Sequence, residues 1–307
     1  MTSLPAAVPA VVPAVVYGFE ETAKAARRLA AALGVSFREV HLHRFPDGES
    51  LVRVDAFTGP GLVYRSLDRP NDKLIELMLA ASVLRDAGAE HLTLLAPYLC
   101  YMRQDTAFRP GEAVSQGVVG RFLSGLFERV VTVEPHLHRT QQLAEVFPGT
   151  KAVKVSAAAL LAERLRQDGA PPDTLLVGPD AEARQWVEAV ARPLGLEVLV
   201  GEKVRSGDRD VHLVVPDVER ARGRPVVLVD DLVSTGGTLV ACAKQLTAAG
   251  AARIEALAIH MLCGPEEEAQ LRAAGVFRLR STDSVPHPSN AIHLAPLLAA
   301  VLQEDMT

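Results

Sequence analysis

The segment VVLVDDLVSTGGTLVACAKQL (226–246) reads as a strand, an acidic turn, a glycine-rich loop and a helix. The apolar run Val226–Val229 suits a parallel strand covered on both faces. Asp230 and Asp231 stand at the C-terminal end of that run, where open α/β sheets bind ligands. Gly236 and Gly237 let the backbone approach an anion and take positive φ. The N–H groups of the loop and helix start point at such an anion, with the helix dipole in support. Ser234, Thr235 and Thr238 add hydroxyl donors for phosphate oxygens. A carboxylate repels a phosphate but accepts from hydroxyls, so Asp230 and Asp231 predict a ribose 2-OH and 3-OH beside the phosphate. GxxxxGK[ST] is absent, and so is GxGxxG after a strand; neither a P-loop nor a Rossmann site is expected.

Outward from this segment, β-branched runs alternate with Ala/Leu-rich helical patterns. In the first half the expected strands are 14–19, a pair bracketing the turn 45–50, then 61–66, 91–99 and 129–136, with helices over 21–34 and about 71–87. The rhythm restarts with strands 174–180, 197–203, 225–231 and 253–262, and helices after the first and third of these. Such spacing argues for βαβ units and mainly parallel sheets flanked by helices, an α/β fold with two similar halves. Phe147–Thr150 is a turn signal at the joint. The expected organisation is a loose tail over 1–10, a first domain over 11–152, a second over 153–290, and a closing helical segment over 291–307 that packs back on the first domain.

Composition sets the remaining bounds. The chain has 307 residues, 49% of them hydrophobic, enough for two ordinary α/β domains. Its formal net charge is −5 and no long Lys/Arg block occurs, so a nucleic-acid partner is not expected. Cys100, Cys242 and Cys263 form no CxxC pair and no zinc spacing. An odd, sparse count fits a reducing cytoplasm. The N-terminal apolar stretch lacks a basic start and is broken by Pro5, Pro9 and Pro13, which disfavours a signal peptide. No apolar run is long enough for a membrane span.

Five further stretches stand out. RFPDGES (44–50) is a polar turn. APYLCYMRQDTAFRPGEAVS (96–115) carries Arg103, whose planar fork stacks on a base or pairs with phosphate, and Gln104, which can bond a base edge. VTVEPHLHR (131–139) places His136 after a strand, and VGPDAEA (177–183) places Asp180 at a strand tip. GEKVRSGDRDVHL (201–213) spaces Lys203 and Arg205 by one residue, so both face one side of a strand end.

The 226–246 segment resembles the phosphoribosyl diphosphate loop of type I phosphoribosyltransferases, which implies two tandem domains of that fold. Alone it leaves open a transferase that consumes the diphosphate and a kinase that makes it. The other motifs, in this order over roughly residues 14–303, resemble the ribose-phosphate pyrophosphokinase family. That resemblance implies transfer of the β,γ-diphosphoryl group of ATP to C1 of ribose 5-phosphate, with AMP released, in the service of nucleotide biosynthesis. It carries Asp47, Gly48, Glu49, Arg103 and Gln104 over as ATP contacts. Asp230, Asp231, Ser234, Thr235, Gly236, Gly237 and Thr238, with Arg205, become ribose 5-phosphate contacts. His136 and Asp180 become Mg²⁺ ligands, and Lys203 and Arg205 catalytic cations of a short flexible loop. It also implies a homo-oligomer, dimer or hexamer, because the 44–50 turn reaches a neighbour's ATP. Two departures occur: Glu134-Pro135 stands where the family more often has an Asp and an apolar residue, and Glu182-Ala183 where many members have two glycines. They leave a non-catalytic regulatory paralogue as the rival reading from a different class, beside the phosphoribosyltransferase.

Overall fold

The computed structural model describes residues 13–55, 57–137, 139–140, 142–206 and 210–304. The expected tail over 1–10 and His138 lie outside them. The chain forms two compact units. One comprises 1–155, 284–286 and 294–307, the other 156–283 and 287–293.

The first unit is built on a seven-stranded sheet of β1 (Val15–Phe19), β2 (Ser36–Arg44), β3 (Ser50–Val54), β4 (Gly61–Tyr64), β5 (Leu92–Ala96), β6 (Arg129–Val133) and β7 (Lys151–Val155). Their order is β3-β2-β1-β4-β5-β6-β7. Every pairing is parallel except the β2/β3 hairpin. Helices α1 (Ala23–Leu33), α2 (Pro70–Asp86) and α3 (Ser115–Ser124) supply the crossovers. The β5 and β6 residues are buried throughout, as a parallel strand covered on both faces requires. Tyr17, Phe19, Leu77, Leu84, Leu94, Leu123 and Phe127 share one core under α2 and α3. The other face carries α1, packed so close that a Cβ on Gly18 would meet that of Ala26 at 2.7 Å. The last helix, α8 (Ala295–Glu304), packs against α1. β7 is a strand that the sequence pattern did not single out: it begins at the turn signal of Phe147–Thr150 and closes the sheet edge.

The second unit contains α4 (Ala158–Gln167), β8 (Leu175–Gly178), α5 (Arg184–Ala191), β9 (Glu197–Val200), β10 (Glu202–Ser206), β11 (Asp210–Val214), β12 (Pro225–Val233), α6 (Gly237–Ala248), β13 (Arg253–Met261), α7 (Pro265–Ala273), β14 (Val276–Thr282) and β15 (Asn290–Ile292). Six of these strands form a parallel sheet in the order β15-β14-β13-β12-β8-β9. β10 and β11 form a separate antiparallel ribbon. The expected single strand over 197–203 is therefore two strands that part at Gly201. The expected flexible loop over 203–212 is a hairpin whose 207–209 tip lies outside the described residues.

A buried ion-pair network governs the first unit near the 45–49 turn. Arg65, 1% exposed, lies over the Phe19 ring at 3.7 Å and reaches Glu21 at 2.9 Å and Glu76 at 2.5 Å. Glu76 also accepts from Arg44 (3.1 Å) and Ser50 (3.0 Å), the two residues flanking the turn. Burial works to raise the Glu76 carboxyl, but Arg65 first, then Ser50 and Arg44, hold it below the usual range. A depressed carboxyl contributes stability above its unfolded pKa and loses it as pH falls through the folded value. Glu76→Gln leaves Arg65 under-compensated, so a loss of about 3 kcal/mol at neutral pH is expected in urea unfolding. The difference from wild type should shrink as pH drops below the usual Glu range.

Candidate functional site

The second sheet reverses its winding between β8 and β12. From β8 the chain passes to β9 on one side, and from β12 to β13, β14 and β15 on the other. Such a switch point opens a crevice beyond the strand ends. β12 also outruns its neighbour: pairing with β8 stops at Leu228, whereas β12 continues to Val233, two residues past the expected end. Asp230 therefore projects above the end of β8.

Asp180 stands across that crevice. It caps the short 3-10 turn 181–183, its Oδ1 accepting the Glu182 and Ala183 N–H groups at 3.0 and 3.3 Å. Its Oδ2 meets the Lys203 Nζ at 2.6 Å. The hydrogen bond to Asp180 raises the Lys203 pKa; burial opposes it, and the charges of Asp180, Glu182 and Asp230 add to it. Burial pushes the Asp230 carboxyl well above the usual range, and the charges of Asp231 and Asp180 push it further. The Asp231 N–H donates to Asp230 Oδ1 at 3.0 Å, while Asp231 itself is 2% exposed, on the opposite face of the strand. Two carboxylates, of Asp180 and Asp230, and the Lys203 ammonium thus share the crevice, with Asp231 behind it.

The ribbon that carries Lys203 is placed by a glycine. Gly201 N–H donates to Gly178 carbonyl at 2.8 Å, and a Cβ at Gly201 would stand 2.3 Å from the Pro179 carbonyl oxygen. Only glycine allows β9 to turn into β10 against that backbone. Arg205 follows two positions on along β10.

The loop 234–238 leads into α6. Gly236 adopts φ +68°, the left-handed region that favours glycine, and serves as the cap of α6 without a side-chain hydrogen bond. Val240 N–H closes the first helical bond, to the Gly236 carbonyl at 2.9 Å. The preceding amides of Gly237, Thr238 and Leu239 face the loop. Thr235 and Gly237 are exposed, and Ser234 and Thr238 half-buried. Such an arrangement of amides suits an anion.

The remaining candidates lie in the first unit. Asp47, Gly48 and Glu49 form the exposed tip of the β2/β3 hairpin, with Glu49 N–H donating to Asp47 Oδ1 at 3.2 Å and Gly48 at φ +91°. Arg103 is exposed, and Gln104 is anchored by Ser115, whose hydroxyl donates to Gln104 Oε1 at 2.6 Å. Burial works to raise Asp105, but the Arg139 amide and guanidinium, both at 2.9 Å, hold it low. His136 is half-buried just beyond β6. Two of the non-glycine residues with positive φ fall in these motifs, Tyr101 (61°) and Glu134 (33°). Such backbone strain concentrates at functional sites.

Sequence reasoning named Lys203 and Asp180 but not their pairing, and it missed the Arg65–Glu76 clamp beneath the hairpin tip. An Arg just past a strand end followed by a helix-borne Glu carries no spacing signal. The cysteines are buried thiols pushed up by burial, to about 12 at Cys100 and Cys242 and about 11 at Cys263, which makes them poor nucleophiles. Among the described residues no group of three or more His, Cys, Asp or Glu side chains forms a cation cage. None of the described helices is long and apolar enough to cross a membrane.

Comparison with known proteins places this geometry. A family model described as the N-terminal domain of ribose phosphate pyrophosphokinase matches residues 14–126, and a phosphoribosyl transferase domain model matches 149–292. A ribose-phosphate pyrophosphokinase of Methanopyrus kandleri is 36% identical over 94% of this chain and 98% of its own length. One of Thermococcus kodakarensis is 36% identical over 86% and 92%. The crystal structure of phosphoribosylpyrophosphate synthetase from Mycobacterium smegmatis shares the fold, with a TM-score of 0.79 at 24% identity over 94% of this chain and 97% of that one.

Gly201→Ala should cost about 1–3 kcal/mol in urea unfolding, the penalty for overpacking against fixed backbone. It should also displace Lys203 from Asp180, visible as a lowered Lys203 pKa by NMR.

Proposed function

Because the chain belongs to the ribose-phosphate pyrophosphokinase family, we propose that it transfers the β,γ-diphosphoryl group of Mg-ATP to the C1 hydroxyl of ribose 5-phosphate, giving 5-phosphoribosyl 1-diphosphate and AMP. The observation that carries this reading is the meeting of Asp180, Lys203 and Asp230 beside the 234–238 cradle at one switch point.

The cradle amides and the hydroxyls of Ser234, Thr235 and Thr238 take the 5-phosphate. Asp230 accepts from the ribose 2-OH and 3-OH, and Asp231 supports it from the far side of β12. The C1 hydroxyl then attacks the β-phosphorus of ATP in line; on the family resemblance the adenine end belongs to Arg103 and Gln104, and to Asp47, Gly48 and Glu49 of a neighbouring copy's hairpin tip. The C1 oxygen forms a bond to the β-phosphorus as its hydroxyl proton is released to solvent, and the bond from that phosphorus to the oxygen of AMP breaks. Positioning and charge stabilisation carry most of such a reaction. Lys203, drawn from Asp180 by the competing phosphates, and Arg205 stabilise the charge that grows on the transferring group.

The oxygen-rich crevice suits Mg²⁺. Asp180 supplies a hard donor, and the carboxylate repulsion that raises Asp230 is relieved by a divalent cation. Held by Asp180, a Mg²⁺ would supply charge neutralisation for the β- and γ-phosphates. His136 joins as a ligand on the family resemblance. The hairpin tip, held at its base by Glu76 and exposed at its end, reaches a neighbour's ATP in a homo-oligomer, and the buried reduced thiols suit the cytoplasm.

The test is incubation with ribose 5-phosphate, ATP and Mg²⁺ and measurement of AMP and phosphoribosyl diphosphate. Equal amounts of both are expected, and absence of AMP above background overturns the reading. Lys203→Ala should lower kcat by about 10²–10³-fold with little change in the KM for ribose 5-phosphate, the mark of a group acting in the transition state. Asp230→Ala should instead raise that KM by about 10–100-fold, the worth of charged hydrogen bonds to the sugar hydroxyls.

A further inference from the structure

A parallel sheet buried on both faces reads as apolar strands. One face of the second sheet obeys this: Val226, Leu228, Ile254, Ala256, Val276 and Leu279 pack into the core that α6 and α7 cover. The opposite face breaks the rule at the starting ends of the strands. There Val227, Glu255 and Arg278 lie side by side in register, with Arg253 before Glu255 and Arg280 beside Leu257. Charged side chains occupy positions where leucine or valine is expected.

These groups line a cavity of about 370 Å³ between the strand starts and the segment that follows α4, at the end of the sheet remote from Asp230. Its volume suits a small molecule. Leu165, Pro171 and Val227 make part of its wall apolar. Three guanidinium groups, of Arg253, Arg278 and Arg280, line it against two carboxylates. Glu255 serves all three arginines, at 2.7, 3.4 and 2.7 Å respectively. Asp168 is shared between Arg280 and Arg164. Positive charge is in excess.

Two buried polar groups in this wall also lack hydrogen-bond partners. Thr174, 1% exposed, leaves its hydroxyl unmatched, and Arg280, 4% exposed, leaves Nε unmatched. An unsatisfied buried donor costs about 1–3 kcal/mol, so these two atoms have something to gain from a new partner. Burial and the neighbouring Arg164 charge hold the Arg280 pKa below its usual range, despite the carboxylates beside it.

We propose that this cavity binds a small molecule through an oxyanion group, phosphate or carboxylate, held by Arg253, Arg278 and Arg280 and by the Thr174 hydroxyl. Arginine forks pair with either group through two parallel hydrogen bonds. The site lies at the opposite end of the strands from the catalytic crevice, so its occupant is an effector rather than a substrate.

The experiment is arginine labelling by phenylglyoxal on the full chain, resolved by peptide mass spectrometry. Arg253 and Arg278, both 41% exposed at the side chain, are open to the reagent. Inorganic phosphate and succinate are compared with chloride at matched ionic strength. Slower labelling of both arginines in phosphate identifies a phosphate ligand, and in succinate a carboxylate ligand; equal labelling in all three salts overturns the proposal. Thr174→Val, which removes an unmatched hydroxyl without changing volume, should fold and retain basal activity. The half-protecting anion concentration should rise by about three- to tenfold in this variant, the worth of one hydrogen bond. Protection unchanged in Thr174→Val would also overturn the assignment.

Discussion

Between β8 and β12 the winding of the second sheet changes direction, which opens a gap above the two strands. β12 is the longer strand on that side, and this difference in length lets Asp230 stand clear of its neighbour. Asp180 arrives at the same place because the turn after β8 is capped by its own carboxyl. Lys203 arrives because Gly201 lets the next strand turn hard against Pro179. The glycine loop then presents amides to the same space. Each part is ordinary, and the crevice exists because the topology points all of them at one gap.

The first unit has the same kind of gap, between β1 and β4, and it is closed from within. Arg65 fills the space beyond β4, stacked on Phe19 and held by Glu21 and Glu76. The side-chain ion pair sits where the other unit leaves an open crevice. Glu76 passes that order on to both stems of the hairpin through Arg44 and Ser50. One switch point has become a scaffold for an exposed turn, while the other stays an open crevice.

The parallel strands were legible because buried strands write uninterrupted apolar runs, as in Val226–Val229 and Leu92–Ala96. The 226–246 segment was legible because a strand, two acids, hydroxyls and glycines must follow one another closely to build a cradle. The 201–213 stretch was harder. Its charged composition hides a strand alternation, and the break at Gly201 depends on the Pro179 backbone, which is distant in sequence. β7 and α4 carry weaker patterns on either side of the joint, where a turn signal dominated the reading. The arginines around Glu255 gave no motif at all, since what brings them together is register across two strands.

The sequence by itself determined the fold class and the cradle, because both are written in local patterns: apolar periodicity, glycine at a forced φ, hydroxyls beside helix amides. Only the tertiary structure decided which charges meet. The Lys203–Asp180 pair, the Glu76 clamp and the arginine-lined cavity all join residues from separate elements. Their energies depend on burial and on distances of a few ångströms, and strand order and register set both.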